Sequence, residues 1–262
     1  MVAVVVLTGI LAATVAAEPV SPATPKAANA QDLRPQFDRF NLSARVQGKR
    51  PTCSVFTMTA AIEFALAKHG RKDPRLSVEF LNWASNQITG EAEDGSYFSH
   101  LWEGFEAHGQ CPEEDMPYQP EFDPDRKPSD EALRQAKKVH EAGLRMHWIK
   151  HWDPTRGLKD RHFDEIKRVL AEGNPVCGGF LWPKEGLERW DDGILPMYRR
   201  KQVRDGHSIL LIGFRDDPTQ PGGGVFLIRN SSSPHRHAEM PYEYAKAYMN
   251  DALWIDSGKR DK

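Results

Sequence analysis

The stretch Thr52–His69, TCSVFTMTAAIEFALAKH, constrains the fold more than any other part of this 262-residue chain. Apolar side chains fall on nearly every face of the helix that it predicts, so the rest of the protein has to surround that helix. Gly70 follows as a natural C-terminal cap. The sequence therefore predicts a buried central helix, and this helix begins with a cysteine, Cys53, directly after Pro51 and Thr52.

A cysteine at the start of a helix is either a buried structural residue or a nucleophile. The free N–H groups and the positive dipole end of a helix N-terminus favour a thiolate over a thiol, and Thr52 is positioned to cap the helix. A nucleophilic Cys53 also needs a proton acceptor, most naturally an imidazole, and donors for the oxyanion that forms at the attacked carbon. The rest of the chain has to decide between the two interpretations.

Charge and composition exclude several function classes. The chain has 35 Lys and Arg against 37 Asp and Glu, a formal net charge of -2, so no basic field points to nucleic acid. No CxxC motif is present, which argues against a structural zinc site. His147 and His151 are spaced like a helical metal pair, but the alternating pattern around them predicts a strand, which would separate them. We expect no metal and no organic cofactor.

The N-terminal segment predicts export. Residues 1–17 are apolar and end in small residues, as in a cleavable signal peptide, with a membrane anchor as the alternative. Residues 18–36, rich in Pro and Ala, predict a flexible linker. We assign residues 37–262 to a single domain, secreted or periplasmic, with no stable membrane insertion after cleavage of the signal.

The pattern of elements changes at about residue 143. A helical part, about 46–142, predicts helices at 52–69, 76–87, 99–109 and from Ser129 onward. A β-rich part, about 143–262, predicts strands at LRMHWI, VCGGFLW, HSILLIGF and VFLIRN, a helix at FDEIKRVLAEGNP, and a final helix that runs into a strand. The chain therefore belongs to the α+β class.

The β-rich part supplies the imidazole. His207 stands at the start of HSILLIGF, and Asn230 ends VFLIRN. The segment between these strands is rich in Pro and Gly, which predicts a hairpin. A hairpin brings the start of its first strand and the end of its second to one edge, so the Asn230 amide could orient the His207 ring.

Three motifs in this order resemble those of the papain-like cysteine peptidases. They are Gln47 six residues before Cys53 at a helix start, GHSILLIGF around His207, and FLIRNS around Asn230. LSVEFL, HGQCPEEDMPY, IKRVLAEGNPV and YEYAKAYMNDALWI are similar to further segments of the family. The resemblance covers roughly Phe37 to Ile255.

The resemblance implies a two-lobed fold and a set of roles. A helical lobe and an antiparallel, barrel-like β lobe would face each other across a cleft that contains the active site. Cys53 would be the nucleophile, His207 the general base and later acid, Asn230 the residue that orients the imidazolium, and Gln47 the oxyanion donor beside the Cys53 N–H. The segment Asp94-Gly95-Ser96 resembles the glycine-bearing segment that binds the substrate backbone, with one of the usual two glycines missing.

Four departures from the family pattern bear on function. Ser54 replaces the aromatic residue that usually follows the nucleophile, and Ser232 replaces the Trp that usually shields the Asn–His hydrogen bond from water. The family's disulfide cysteines, including one just before the nucleophile, are missing. No long inhibitory prosegment fits between residue 18 and Phe37.

The remaining candidate residues have structural explanations. We expect Cys111 and Cys177 to be buried thiols, with a disulfide between them as the alternative. Glu63, on the central helix, needs a buried hydrogen-bonding partner. His235 to His237 predict an exposed turn. The Trp residues are expected in the core and the cleft lining: Trp148, Trp152, Trp182 and Trp190.

The sequence therefore predicts an exported cysteine peptidase that hydrolyses peptide or protein substrates through a thioester acyl-enzyme. Two alternatives stay open. One is an amidase or transpeptidase that acts on cell-wall peptides with the same triad, and the other is a catalytically inactive binding module that uses the groove.

Overall fold

The structure is a computed structural model and describes Met1 and residues 29–72, 74–232 and 235–257. All of the predicted signal peptide but Met1 lies outside the described residues. So does the first part of the predicted linker, up to residue 28. Within the described part of the chain, no helix is long and apolar enough to cross a membrane.

Seven α-helices lie within these described residues, four of them in the helical part of the chain. Two short 3-10 turns, Glu113–Asp115 and Arg200–Gln202, accompany them. The helices are α1 Arg34–Arg39, α2 Cys53–Lys68, α3 Val78–Thr89, α4 Phe98–His108, α5 Asp130–His140, α6 Asp160–Ala171 and α7 Tyr242–Tyr248.

One antiparallel sheet of seven strands organises the β-rich part, as far as the chain is described. The strands are β1 Ala30–Asp32, β2 Arg145–Lys150, β3 Val176–Pro183, β4 Val203–Asp216, β5 Gly224–Arg229, β6 His237–Pro241 and β7 Met249–Asp256. Their order in the sheet is β2-β7-β3-β4-β5-β6, and β1 pairs with β4. The predicted α+β class with a helical part and an antiparallel β part is confirmed.

Helix α2 lies between the two parts, as its sequence predicts. Fifteen of its sixteen residues are buried, from Cys53 to Ala67. It packs against α3 and α4 on one side and against β3, β4 and β7 on the other. Because both parts contribute to one continuous hydrophobic cluster around α2, the N-terminus of this helix is fixed at the junction of the two lobes.

The structure differs from the predicted linker over residues 18–36. Residues 30–32 form β1, which pairs with β4, and α1 begins at Arg34. The anchor is Leu33, which is fully buried in the main cluster. The Pro and Ala content of this segment conceals that short strand, because three residues are too few to show an alternating pattern.

The predicted β4–β5 hairpin is present, with Asp216 facing Gly224 across its closed end. Strand β6 was not predicted, because His237 at its start was assigned to an exposed turn with His235.

The Glu63 carboxylate has the partners that its burial requires. It accepts hydrogen bonds of 2.8 Å from the Arg45 guanidinium and from the Leu76 N–H.

None of the three cysteines, all of them within the described ranges, forms a disulfide. Cys111 and Cys177 are fully buried and lie in two different hydrophobic clusters, which excludes a bond between them in this fold. Burial raises the pKa of the Cys111 thiol to about 12 and that of Cys177 well above its ordinary value. Both are therefore inert structural thiols.

Candidate active site

Cys53 is the first residue of α2, and its side chain is 9% exposed. Thr52 occupies the cap position, but its hydroxyl lies 2.8 Å from the Tyr118 hydroxyl and makes no capping bond. The expected Thr52 side-chain cap is therefore not formed. The backbone N–H groups of Ser54 and Ser208 interact with the sulfur and lower the pKa of the thiol. One of these donors thus comes from the first turn of α2 and the other from β4.

A bulge in β4 sets the position of His207. Phe180 of β3 faces His207, whereas the next residue, Leu181, faces Asp205, so that Gly206 has no partner across the ladder. The φ of Gly206 is +118°, a value that residues with a side chain rarely adopt. The Gly206 carbonyl lies 3.9 Å from the Cys53 sulfur, and His207, 8% exposed, follows directly.

Asn230, the residue after β5, orients the imidazole. Its side-chain oxygen lies 3.0 Å from His207 Nε2 and also accepts the backbone N–H of Ser232 at 3.0 Å. Because the Ser232 N–H can only donate, the oxygen of the amide is identified, and His207 Nε2 must carry the proton in this pair. The other ring nitrogen, Nδ1, is then the one available to Cys53.

Burial and the interaction between Cys53 and His207 have opposite effects on the pKa values of the two side chains. Burial raises the pKa of the Cys53 thiol, but the hydrogen bond and the charge of His207 lower it further, so the pKa lies below its ordinary value. Burial lowers the pKa of His207, yet its bonds to Cys53 and Asn230 outweigh this and raise it. The interaction of the two groups therefore favours the thiolate–imidazolium form of the pair over the neutral form.

Gln47 links the two lobes beside the sulfur. Its side-chain oxygen accepts the Ser231 hydroxyl at 2.8 Å, and its Nε2 donates to the Arg50 carbonyl at 2.8 Å. Its backbone N–H donates to the Ser231 carbonyl at 2.9 Å. The amide carries two N–H groups, so one of them is left for an oxyanion next to the Cys53 N–H.

The segment Asp94-Gly95-Ser96 lies on the wall of the cavity that contains Cys53 and His207. The φ of Gly95 is +76°, and a Cβ there would lie 2.4 Å from the Pro51 carbonyl oxygen, so only glycine fits. The Ser96 N–H donates to the Ser54 hydroxyl at 3.2 Å. Ser54, in place of the family's aromatic residue, therefore ties this segment to the nucleophile loop.

Sequence reasoning missed Arg50, three residues before Cys53. Its guanidinium is 4% exposed and forms ion pairs of 2.7 Å with both Glu79 and Asp94, and it donates to the Gln119 carbonyl at 2.8 Å. It also lies over the Tyr118 ring, 4.6 Å from its centroid. The carboxylate of Asp94, in the predicted substrate-binding segment, is thus taken up mainly by this buried network.

The cavity has a volume of about 390 Å³ and is lined by residues of both lobes. Tyr97 and Trp152, 52% and 45% exposed, meet edge to face across it with ring centroids 5.4 Å apart. Four carboxylates and no Lys or Arg are found among its described lining residues. The carboxylates are Glu91, Glu93, Asp94 and Asp251. The cleft is therefore acidic and partly aromatic.

The two histidines considered as a metal pair each stack on a tryptophan ring. His147 lies in β2, stacked on Trp254 with ring centroids 4.5 Å apart, and His151, beyond the end of β2, stacks on Trp148. Within the described ranges, no group of three or more His, Cys, Asp or Glu side chains is arranged to hold a metal ion. Their aromatic stacking accounts for both rings.

Comparison with known protein families gives one match that spans most of the chain. A profile described as papain family cysteine protease matches residues 29–239. The chain belongs to the papain family of cysteine proteases. Its sequence resemblance to that family is confirmed, and the match extends eight residues further toward the N-terminus than the motifs indicated, as far as the segment that forms β1.

Solved papain-family structures share the fold. Xylellain, a cysteine protease from Xylella fastidiosa, is 22% identical and superimposes with a TM-score of 0.68, covering 89% of this chain and 88% of its own. The proform of Amb a 11, a cysteine protease and ragweed pollen allergen, is 16% identical, with a TM-score of 0.65 over 92% of this chain and 69% of its own. Digestive procathepsin L 3 of Tenebrio molitor larval midgut is 16% identical, with a TM-score of 0.61 over 91% of this chain and 73% of its own. No curated protein sequence matches the chain significantly.

Two contributors to the site carried little sequence signal. Asp251 lies in β7, where its carboxylate accepts the Gly179 N–H at 2.8 Å, and a single acid in a strand gives no local pattern. Arg50 is preceded by Lys49 in a polar loop, so it could not be told from a solvated residue. Both depend on contacts between segments that are distant in sequence.

The paired titration predicts how Cys53 reacts with iodoacetamide. Since the pKa of Cys53 is lowered, a larger fraction of it is thiolate at pH 6 than of a free cysteine thiol, which has a pKa of about 8.5 and is almost fully protonated there. We expect Cys53 to be alkylated at pH 6 about tenfold faster than free cysteine or more, as measured by mass mapping over time.

His207→Ala should return the alkylation rate of Cys53 to that of an ordinary thiol. Cys111 and Cys177 serve as internal controls and should stay unmodified in the folded protein, because both are buried. A wild-type rate that rises only near pH 8 to 9 would contradict the ion pair.

Proposed function

We propose that this papain-family protein is an active peptidase that hydrolyses peptide bonds with Cys53, His207, Asn230 and Gln47. The observation that carries the proposal is the position of Cys53 at the start of α2, in the cavity that also contains His207, whose ring Asn230 orients at 3.0 Å. A merely structural cysteine at this position would not need its two polar neighbours. The cavity beside the pair has room for a side chain of a peptide substrate.

In the acylation step, the Cys53 sulfur attacks the carbonyl carbon of the scissile bond. The carbonyl oxygen, on which negative charge develops, accepts hydrogen bonds from Gln47 Nε2 and the Cys53 N–H. His207 donates its Nδ1 proton to the leaving amine as the C–N bond breaks, and a thioester on Cys53 remains. Asn230 holds the ring in place through Nε2, which keeps its proton throughout.

In the deacylation step, water takes the place of the departed amine. His207 Nδ1, now without its proton, accepts one from this water as the oxygen attacks the thioester. The C–S bond breaks, the acid product leaves, and the thiolate and imidazolium form again. The cycle consumes one water per bond and uses only side chains and backbone N–H groups of the chain.

Export is part of this proposal. It is supported by the apolar segment of residues 1–17 with its small residues at the end, Val15-Ala16-Ala17. Intact mass measurement of the protein recovered outside the cytoplasm tests it, because cleavage after Ala17 removes seventeen residues. Recovery of the uncleaved chain in the membrane fraction would favour an N-terminal anchor instead.

Removing the nucleophile separates a catalytic role from a packing role. We expect Cys53→Ala to lower kcat/KM for a denatured protein substrate by at least ~10⁴-fold, because the remaining groups cannot form a thioester. The melting temperature should change by only a few degrees. The matched control is Cys111→Ala, a buried thiol outside the cleft, which should keep its activity.

The substrate distinguishes the alternatives. Release of new amino termini from denatured protein supports a peptidase, whereas consumption of cell-wall peptides alone would favour the amidase or transpeptidase. Retention of activity in Cys53→Ala would overturn the mechanism. Binding of peptides by the wild-type protein without turnover would favour an inactive binding module.

The charge of the cleft predicts a preference among side chains. Arg50 balances Asp94, and the charges of Lys150 and Asp251 interact. Among the described lining residues, this leaves the exposed Glu91 and Glu93 as the acids without an ion pair. The test compares fluorogenic peptides that differ only at the position next to the residue at the scissile bond. We expect peptides with Arg at this position to give a higher kcat/KM than those with Glu.

The double variant Glu91→Gln, Glu93→Gln should reduce this ratio about 3- to 10-fold, since each exposed charge contributes modestly. High salt should reduce the ratio in the wild-type protein as well. Glu103→Gln, on the exposed face of α4, is the matched control and should leave it unchanged. Equal turnover of the Arg and Glu peptides would refute the preference.

A further inference from the structure

Ser232 does not take over the role of the Trp that usually stands there in the family. It contributes its backbone N–H to the Asn230 side-chain oxygen at 3.0 Å, and a serine side chain has no ring to cover the neighbouring bond. Yet His207 is only 8% exposed and Asn230 only 2%. Some other group must therefore exclude water from the His207–Asn230 hydrogen bond.

An indole from β3 lies against the imidazole. The Trp182 ring centroid lies 4.7 Å from that of His207, at an interplanar angle of 52°, and Trp182 is 7% exposed. Trp182 is two residues beyond Phe180, which pairs directly with His207 across the β3–β4 ladder. The ring that contacts the imidazole therefore comes from β3, which precedes His207 in the chain, whereas the position of the family's Trp follows Asn230.

Glu188 fixes the position of this ring. One oxygen of its carboxylate accepts the Trp182 Nε1–H at 2.9 Å, and the other accepts the Trp190 Nε1–H at 3.0 Å. The centroids of the two indole rings lie 6.1 Å apart, and the Tyr244 ring lies 6.2 Å from that of Trp182. The carboxylate thereby removes the rotational freedom that a single ring over a cleft would otherwise have.

We propose that Trp182, held by Glu188, is the positioning residue that shields the His207–Asn230 hydrogen bond, in place of the aromatic residue missing at Ser232. A hydrogen bond that is kept from water holds the ring more firmly, because no solvent competes for the Asn230 oxygen. The inference rests on the proposed function only where activity is the readout.

Activity in a double-mutant cycle tests the proposal. Trp182→Leu should lower kcat/KM roughly tenfold, the equivalent of one weakened buried hydrogen bond, with kcat reduced and KM nearly unchanged. In Asn230→Ala the same Trp182→Leu change should cost little more, because the bond that it protects is already gone. Full additivity of the two losses would overturn the proposal.

A second readout does not depend on turnover. The His207 Nε2 proton should give a downfield ¹H NMR signal in the wild-type protein. That signal should broaden by exchange with water in Trp182→Leu, and the alkylation of Cys53 at pH 6 should slow. An unchanged signal and rate would overturn the proposal. If the wild-type chain cleaves no peptide, the proposed function fails, and this readout still decides the role of Trp182.

The chain offers a matched control and two milder variants. Trp254→Leu removes a ring that stacks on another imidazole, His147, at 4.5 Å in β2 and β7, and it should leave kcat/KM and the His207 signal unchanged. If Trp182→Leu does not fold, Trp182→Phe and Glu188→Gln decide, since Glu188 is exposed. Each should reduce kcat/KM about threefold, and no change in either would count against the proposal.

Discussion

The buried guanidinium of Arg50 is the interaction on which the geometry of the cleft depends. Its five N–H groups are all used, on two carboxylates and one carbonyl: Glu79 of α3, Asp94 and Gln119. These partners belong to three separate segments of the helical lobe, and Arg50 itself stands in the loop that leads to Cys53. A buried charge without its partners is very unfavourable, so the network has to form as a whole.

The family uses covalent and aromatic devices that this chain lacks, and noncovalent contacts stand in their places. Arg50 and Asp94 connect the nucleophile loop to the glycine-bearing segment, in a chain that lacks the family's disulfide cysteines. The Ser54 hydroxyl accepts the Ser96 N–H where an aromatic residue is usual. The Trp182 ring contacts that of His207 from β3, in a chain that has Ser232 where a Trp is usual. Each of these departures from the family pattern is therefore accompanied by another contact in the same region of the site.

Sequence reasoning succeeded where the signal was local. The apolar faces of α2, the turn composition between β4 and β5, and the amphipathic pattern of α6 predicted elements that the structure contains. It failed where three-dimensional contacts decide. The three-residue β1 was assigned to a linker because its pairing with β4 has no local signature.

The candidate site divides in the same way. Cys53, His207, Asn230 and Gln47 stand in recognisable motifs, and the structure brings them together. Arg50, Trp182 and Asp251 act through neighbours that are 25 to 72 residues away in sequence, and nothing in the local sequence around them indicates these contacts. The three thiols also lie apart, one at the cleft and two in separate clusters. Maturation of this fold consequently requires no oxidant, and a bacterial host with a reducing interior should yield the same native protein as an oxidising one.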